Sequence, residues 1–252
     1  MRPLDKGACP KVGTANKTVT EYGQWRRDLI DRIGYYCAYC NMPLSHQLQV
    51  EHVIAKVAQA GAIAGSLLDW DNLLLACGPC NNVKKNKPCD PTLHYLPESH
   101  NTHLPFEVVN HPQHPDAAIV SHIAGLTASQ EQKAKDTIDL FGLDAYDARN
   151  KVVDLRWMKR KSAIATVAHQ YDIYQMAKSS PKFDATIAAK GIVYAAKECG
   201  FFSLWYNKFI NEPEVMRQLT DNSIIPGTAS NCFDAANGYK PKGRNLLQAD
   251  PI

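Results

Sequence analysis

The chain has 252 residues, 45% hydrophobic and 21% charged, enough for one large or two modest domains with a buried core, and it carries no low-complexity tract. A net charge of +3 and a pI of about 8.3 are only mildly basic, so nucleic-acid binding has to rest on local patches and not on the field of the whole molecule. No uninterrupted apolar run is long enough for a bilayer and no charged-then-apolar leader follows Met1, so the expected location is cytoplasmic, with no membrane partner.

Residues 1–17, rich in Pro, Gly and Lys, read as an irregular arm. From 18 to 33 the spacing of Tyr22, Trp25, Leu29, Ile30 and Ile33 predicts an amphipathic helix, with Arg26, Arg27 and Arg32 largely on other faces as solvated charges.

The next segment carries the chemistry. Cys37-Ala38-Tyr39-Cys40 and Cys77-Gly78-Pro79-Cys80 are two Cys-x-x-Cys pairs. Each turn can aim two thiolates at one ion, and two turns supply the closed tetrahedral sulfur shell of structural zinc; the competing readings are a redox pair or buried free thiols. A zinc with four protein ligands has no open position for water, so it holds the fold and catalysis has to come from elsewhere. Cys9, Cys89, Cys199 and Cys232 are scattered and read as plain thiols of a reducing compartment.

Between the pairs, residues 50–54 predict a short strand carrying Glu51 and His52, whose side chains alternate in face unless a bend brings both to one site. Residues 55–68, rich in alanine and glycine, read as a long and partly helical connection. Trp70 and Leu73 to Leu75 read as core, and Asn81 is expected to open a helix carrying Asn82, Lys84 and Lys85. Phosphodiester hydrolysis needs an activated water and a charge that stabilises the phosphorane. A neutral imidazole can be the base near pH 7, a hard ion on oxygen ligands can be the Lewis acid, and Lys84, Lys85 and Lys87 can grip flanking phosphates.

These residues resemble the HNH nuclease family, in particular its members with a four-cysteine zinc knuckle whose pattern ends Cys-Asn-x-x-Lys, here Cys80-Asn81-Asn82-Val83-Lys84. The resemblance implies a ββα-metal fold: a two-stranded ribbon packed on a helix around one catalytic Mg2+ or Mn2+. It implies His52 as general base, Glu51 and Asn81 as ligands of that ion, and Asn72 pinning the loop that orients the histidine. It also puts Lys56 among the nucleic-acid contacts. Two positions depart from the pattern: Glu51 stands where many relatives have Asp, and Ala55 where relatives often have proline before the equivalent of Lys56.

Beyond Lys87, residues 88–115 hold several prolines and the histidines His94, His100, His103, His111 and His114, which lack ligand spacing and read as surface or hydrogen-bonded groups. Residues 106–109 and 118–120 predict two short strands around a turn that extend the nuclease ribbon. Thr127 and Ser129 are candidate caps of a helix ending near Gly142. A second helix is predicted over 146–176, bearing Arg149, Lys151, Arg156, Lys159, Arg160 and Lys161, either a solvated face or a nucleic-acid surface. Helices are also predicted over 182–199 and 201–210, and the last residues are expected to be loose.

The fold class is therefore α+β, with an N-terminal arm and helix over 1–36, a nuclease module over 37–125 and a mainly helical region over 126–252. Short blocks, among them Tyr36-Cys37-Ala38-Tyr39-Cys40 and Gly200-Phe201-Phe202-Ser203, are similar to bacterial HNH proteins often encoded beside an ATPase, as in Septu-type and retron-associated anti-phage systems. That similarity implies a DNA-cutting antiviral effector with an ATPase partner docked on the helical half. Two other classes stay open: an RNA-cleaving nuclease, and a nucleic-acid-binding or ATPase-partner subunit with a silent nuclease site.

Overall fold

The structure, a computed structural model, describes residues 1–44, 46, 48–57, 64–146, 154–245 and 248–252. The N-terminal arm is irregular, as expected, with one two-residue ladder between β1 (Lys11–Val12) and β2 (Ala15–Asn16). It is nevertheless buried at its start. Arg2 donates to the Ile33 carbonyl at 2.8 Å and the Pro226 carbonyl at 3.0 Å, and Lys6 donates to the Leu73 carbonyl at 3.0 Å. Met1 and Leu4 of the same arm join an apolar core, and periodicity could not show this because charged residues held by polar contacts interrupt any repeating apolar face.

The predicted first helix starts later than residue 18: a 3-10 turn at Tyr22–Trp25 leads into α1 (Arg26–Ile33). Its Trp25 packs on Trp70 with ring centroids 5.3 Å apart and donates its indole N–H to the Leu68 carbonyl. Next come β3 (Gln49–His52) and β4 (Leu73–Ala76), antiparallel with Gln49 opposite Ala76 and His52 opposite Leu73. α2 (Gly78–Lys84) follows directly. It opens on Cys77, whose sulfur accepts the Cys80 N–H at 3.4 Å, with Pro79 in the first turn. The helix thus begins before Asn81, which lies inside it, because a thiolate caps as well as ligates.

β5 (Phe106–His111) and β6 (His114–His122) form an antiparallel hairpin that is a sheet of its own, which corrects the expectation that they extend the nuclease ribbon. Ala118 and Val120 on one face of β6 and Ala117 on the other are buried, and the strand packs on the next two helices. α3 (Ala128–Phe141) matches its prediction closely: Thr127 and Gln130 make a capping box, and Gly142 ends the helix at φ 56°. α4 (Arg156–Lys178) starts later than the predicted 146: Tyr146, Asp154 and Leu155 are not helical, and Arg149, Lys151 and Val152 lie outside the described residues. The chain then forms α5 (Ala185–Cys199), α6 (Phe202–Lys208) and α7 (Pro213–Leu219). It ends with β7 (Phe233–Asp234) paired to β8 (Lys240–Pro241).

Two apolar cores result. One gathers α1, the cysteine turns, β4 and α3 around Leu29, Leu75 and Phe141; the other gathers α4 to α7 around Trp205, Phe209 and Met216. The C-terminus is tied down and not loose. Lys133 pairs with Asp250 at 3.1 Å, and the Asn245 amide donates to the Ser99 and Ile252 carbonyls. No described helix is long and apolar enough to cross a membrane.

Candidate active site and metal centre

The two cysteine turns meet because β4 delivers Cys77 beside the turn that carries Cys37 and Cys40. The Ala38 N–H donates to the Leu75 carbonyl at 2.8 Å, stitching the first turn to the strand that leads into the second. The four sulfurs, all buried, lie within 4.8 Å of one another, and Cys40 and Cys77 are 3.7 Å apart. A tetrahedral zinc at about 2.3 Å from each sulfur sets its ligands about 3.8 Å apart. The donor chemistry and the spacing both fit. All eight cysteines are free of disulfides.

Strand alternation divides the next residues. Gln49 and Glu51 turn toward α2, where the Asn81 amide donates to Gln49 Oε1 at 2.7 Å and Lys84 Nζ meets Glu51 Oε1 at 2.5 Å. Lys84 also donates to the His52 carbonyl at 2.7 Å, and the Tyr39 hydroxyl donates to Glu51 Oε2. Burial lifts the Glu51 carboxyl above its ordinary value, while Lys84 and Tyr39 pull against that lift. Tyr39, buried beside this carboxyl, stays protonated well above the usual phenol value.

His52 turns the other way, against the Tyr22 ring at 4.8 Å, with Nε2 3.0 Å from the Leu67 carbonyl. A carbonyl only accepts, so Nε2 carries the proton and Nδ1 is the basic nitrogen of the neutral ring. Burial lowers the imidazole pKa below 6.5, Lys56 and Lys84 lower it further, and the Leu67 carbonyl opposes them. Asn72 holds the loop that presents that carbonyl: its amide donates to the Ile54 and Ser66 carbonyls at 2.9 and 2.8 Å, and its Oδ1 accepts the Ile54 N–H at 2.8 Å.

Glu51, His52 and Asn81 nevertheless share a cleft of about 260 Å3, with Tyr22, Lys56 and Lys85 also on its wall. A carboxylate offers about four lone-pair sites, of which Lys84 and Tyr39 take two, so Glu51 and the Asn81 amide oxygen can still serve a hard cation that keeps several waters.

Lys84, expected among the phosphate-gripping lysines, is corrected: it is fully buried in its ion pair with Glu51. Lys56 and Lys85 are exposed and Lys87 half-buried. Because Lys84 neutralises a buried carboxylate, Lys84→Met should destabilise the protein by about 3–5 kcal/mol in urea unfolding. Adding Glu51→Gln should recover most of that loss; no recovery would mean that the lysine acts through something other than the pair.

Among the histidines after Lys87, His94, His100 and His103 are buried, and the His111 and His114 rings lie tilted with centroids 4.6 Å apart. Among the described residues the four cysteines are the only metal-type cluster, which none of these histidines joins. Arg156 and Arg160 are buried too, so they belong neither to a solvated face nor to a nucleic-acid surface.

Residues 37–87 match the family model described as HNH endonuclease. No curated protein and no solved structure matches the chain. The matched stretch runs from Cys37 to Lys87 and takes in the four-cysteine cluster together with Glu51, His52 and Asn81 of the cleft.

Proposed function

We propose that residues 37–87 form a metal-dependent endonuclease that hydrolyses phosphodiester bonds in DNA. The observation that carries this reading is His52 in the cleft, its neutral form favoured by burial and its Nε2 engaged by one carbonyl, with Nδ1 left as a base and oxygen donors on the same wall. The order β3, β4, α2 supports a ββα-metal arrangement. Zinc on Cys37, Cys40, Cys77 and Cys80 holds the scaffold. Glu51 and Asn81 would hold Mg2+ or Mn2+, whose contribution when bound is charge stabilisation at the phosphate.

In this reading His52 Nδ1 takes a proton from water as the water oxygen bonds to phosphorus and the opposite P–O bond breaks. Asn72 fixes the loop and hence the ring. Lys56, Lys85 and Lys87 contact phosphates on either side. Lys85 supports this role by its backbone: it ends α2 at φ 49° and ψ −125°, where a glycine would sit without strain. Lys85→Gly is therefore expected to stabilise the fold by about 1 kcal/mol while weakening DNA binding several-fold, read by denaturation and fluorescence anisotropy. Unchanged affinity would remove Lys85 from the interface.

The protein is the nuclease effector of an anti-phage system in this proposal, with an ATPase docked on its helical region. Support comes from the short similar blocks and from exposed Ile173, Met176, Ile187 and Tyr194 on α4 and α5. The test is cleavage of plasmid DNA and of total RNA with Mg2+, Mn2+ or EDTA, alone and, where an ATPase is encoded beside it, with that ATPase. Metal-dependent DNA cutting is expected; cutting of RNA alone would replace the substrate, and no cutting by zinc-loaded, folded protein under any condition would overturn the nuclease reading.

A further inference from the structure

Two arginines on α4 reach out of the second core into the first. The Arg156 side chain is 1% exposed; its Nη1 donates to Cys80 Sγ at 3.0 Å and to the Phe141 carbonyl at 2.9 Å, and its Nη2 donates to the Gly142 carbonyl at 2.6 Å. Asp154, less buried, takes Nε and the remaining contact of Nη2 and so orients the group. Burial works against this guanidinium, and charge on Cys80, with Asp154 and Cys40, more than reverses it.

Arg160, one helical turn further on, is 0% exposed, and none of its three guanidinium nitrogens has a hydrogen-bond partner among the described residues. Burial works against its charge; Cys40, Cys80 and Asp154 lie within electrostatic reach and favour it, while Arg156 and the buried Met1 amine disfavour it. A buried, unpartnered cation is among the costliest groups a protein can hold. The compensation at hand is the sulfur cluster, because Zn2+ with four thiolates carries a net charge of −2.

A second set of contacts joins the same cluster to the helical region. Asn41, next to Cys40 and at φ 58°, accepts the Phe201 N–H on its carbonyl at 2.9 Å and the Phe202 N–H on Oδ1 at 2.7 Å. A Cβ at Gly200 would come within 2.6 Å of Pro43, so the corner between α5 and α6 sits directly on the cysteine turn.

We propose that Arg156 and Arg160 are the counter-charges of the zinc tetrathiolate, and that zinc occupancy fastens α4 and the α5–α6 corner onto the nuclease module. Zinc in this protein is then a clamp between its two cores as well as a staple within one. The inference rests on the zinc reading of the four cysteines and is independent of nuclease activity.

The test uses the full chain loaded with zinc. Zinc affinity, read by competition with a chromogenic chelator, should be about 10–100-fold weaker in Arg160→Met than in wild type, the range seen when a metal site loses an outer partner, with Arg160→Lys restoring most of the affinity. In Co2+-substituted protein, Arg156→Met should shift the thiolate charge-transfer band, because Cys80 Sγ loses its N–H donor. Should Arg160→Met fail to fold, wild-type hydrogen exchange decides: stripping zinc should raise exchange in 156–167 and 200–206 together with 37–41. Wild-type zinc affinity in Arg160→Met, or exchange rising only in the cysteine turns, would overturn the clamp alone. Protein that holds no zinc by elemental analysis would overturn the zinc reading with it.

Discussion

His52→Ala is expected to lower metal-dependent DNA cleavage by about 10²–10⁴-fold, the usual worth of a positioned general base, in a protein that still folds. The structural cost is separable from the catalytic one: the Leu67 carbonyl loses its partner, worth about 1–3 kcal/mol, and a thermal scan at neutral pH reads that loss directly. Cleavage at the wild-type rate by folded His52→Ala would exclude the imidazole as base.

The pH profile gives an independent reading of the same group. A general base at His52 would act only when neutral, and the imidazole pKa is lowered from its ordinary value, so activity should be full at neutral pH and fall as pH drops through that lowered value. The acid limb should therefore have its midpoint below 6.5. Burial is the main cause of the lowering and Lys56 contributes charge. Lys56→Met should consequently move the midpoint up toward 6.5, which a purely phosphate-binding role for Lys56 would not do.

The cysteine pairs were legible in the sequence because ligand spacing is local, and α3 because Thr127 and Gly142 write its ends in short range; Ser129, the other candidate cap, lies inside the helix, and Gln130 completes the box. The pairing of Glu51 with Lys84 was legible in principle. Gln49 and Glu51 share a strand face at period two, Asn81 and Lys84 share a helix face at spacing three, and the two elements bring each to its partner in order. Reading Lys84 only as a charge near a motif missed that geometry. The roles of Arg156 and Arg160 were not legible. They stand in a basic stretch that looks solvated, and only the fold sets Arg156 against a sulfur 76 positions away in the chain. The buried arm failed for a similar reason: Arg2 and Lys6 are held by backbone carbonyls from distant segments, which no sequence pattern announces.

Cys77→Ser is expected to have the largest effect on stability of any single change in the nuclease module. Cys77 is one of four sulfurs of the cluster and the cap of α2, the helix that carries Asn81 and Lys84; a serine hydroxyl can still accept the helix N–H, so the substitution isolates the loss of a zinc ligand. Structural zinc contributes an apparent 10–16 kcal/mol or so at pH 7 in small metal-dependent folds, comparable to the roughly 5–15 kcal/mol that separates a typical folded domain from its unfolded state. The substituted protein should therefore carry less than one zinc per chain by elemental analysis, and its first core should unfold while wild type is intact. Chelator treatment of wild type should reproduce the effect. Cys199→Ser is the control, since Cys199 is a partly exposed thiol outside the cluster and should cost little. If Cys77→Ser matched that control in zinc content and unfolding midpoint, the four buried sulfurs would be packing and not a metal centre, and the counter-charge role of Arg156 and Arg160 would fall with it.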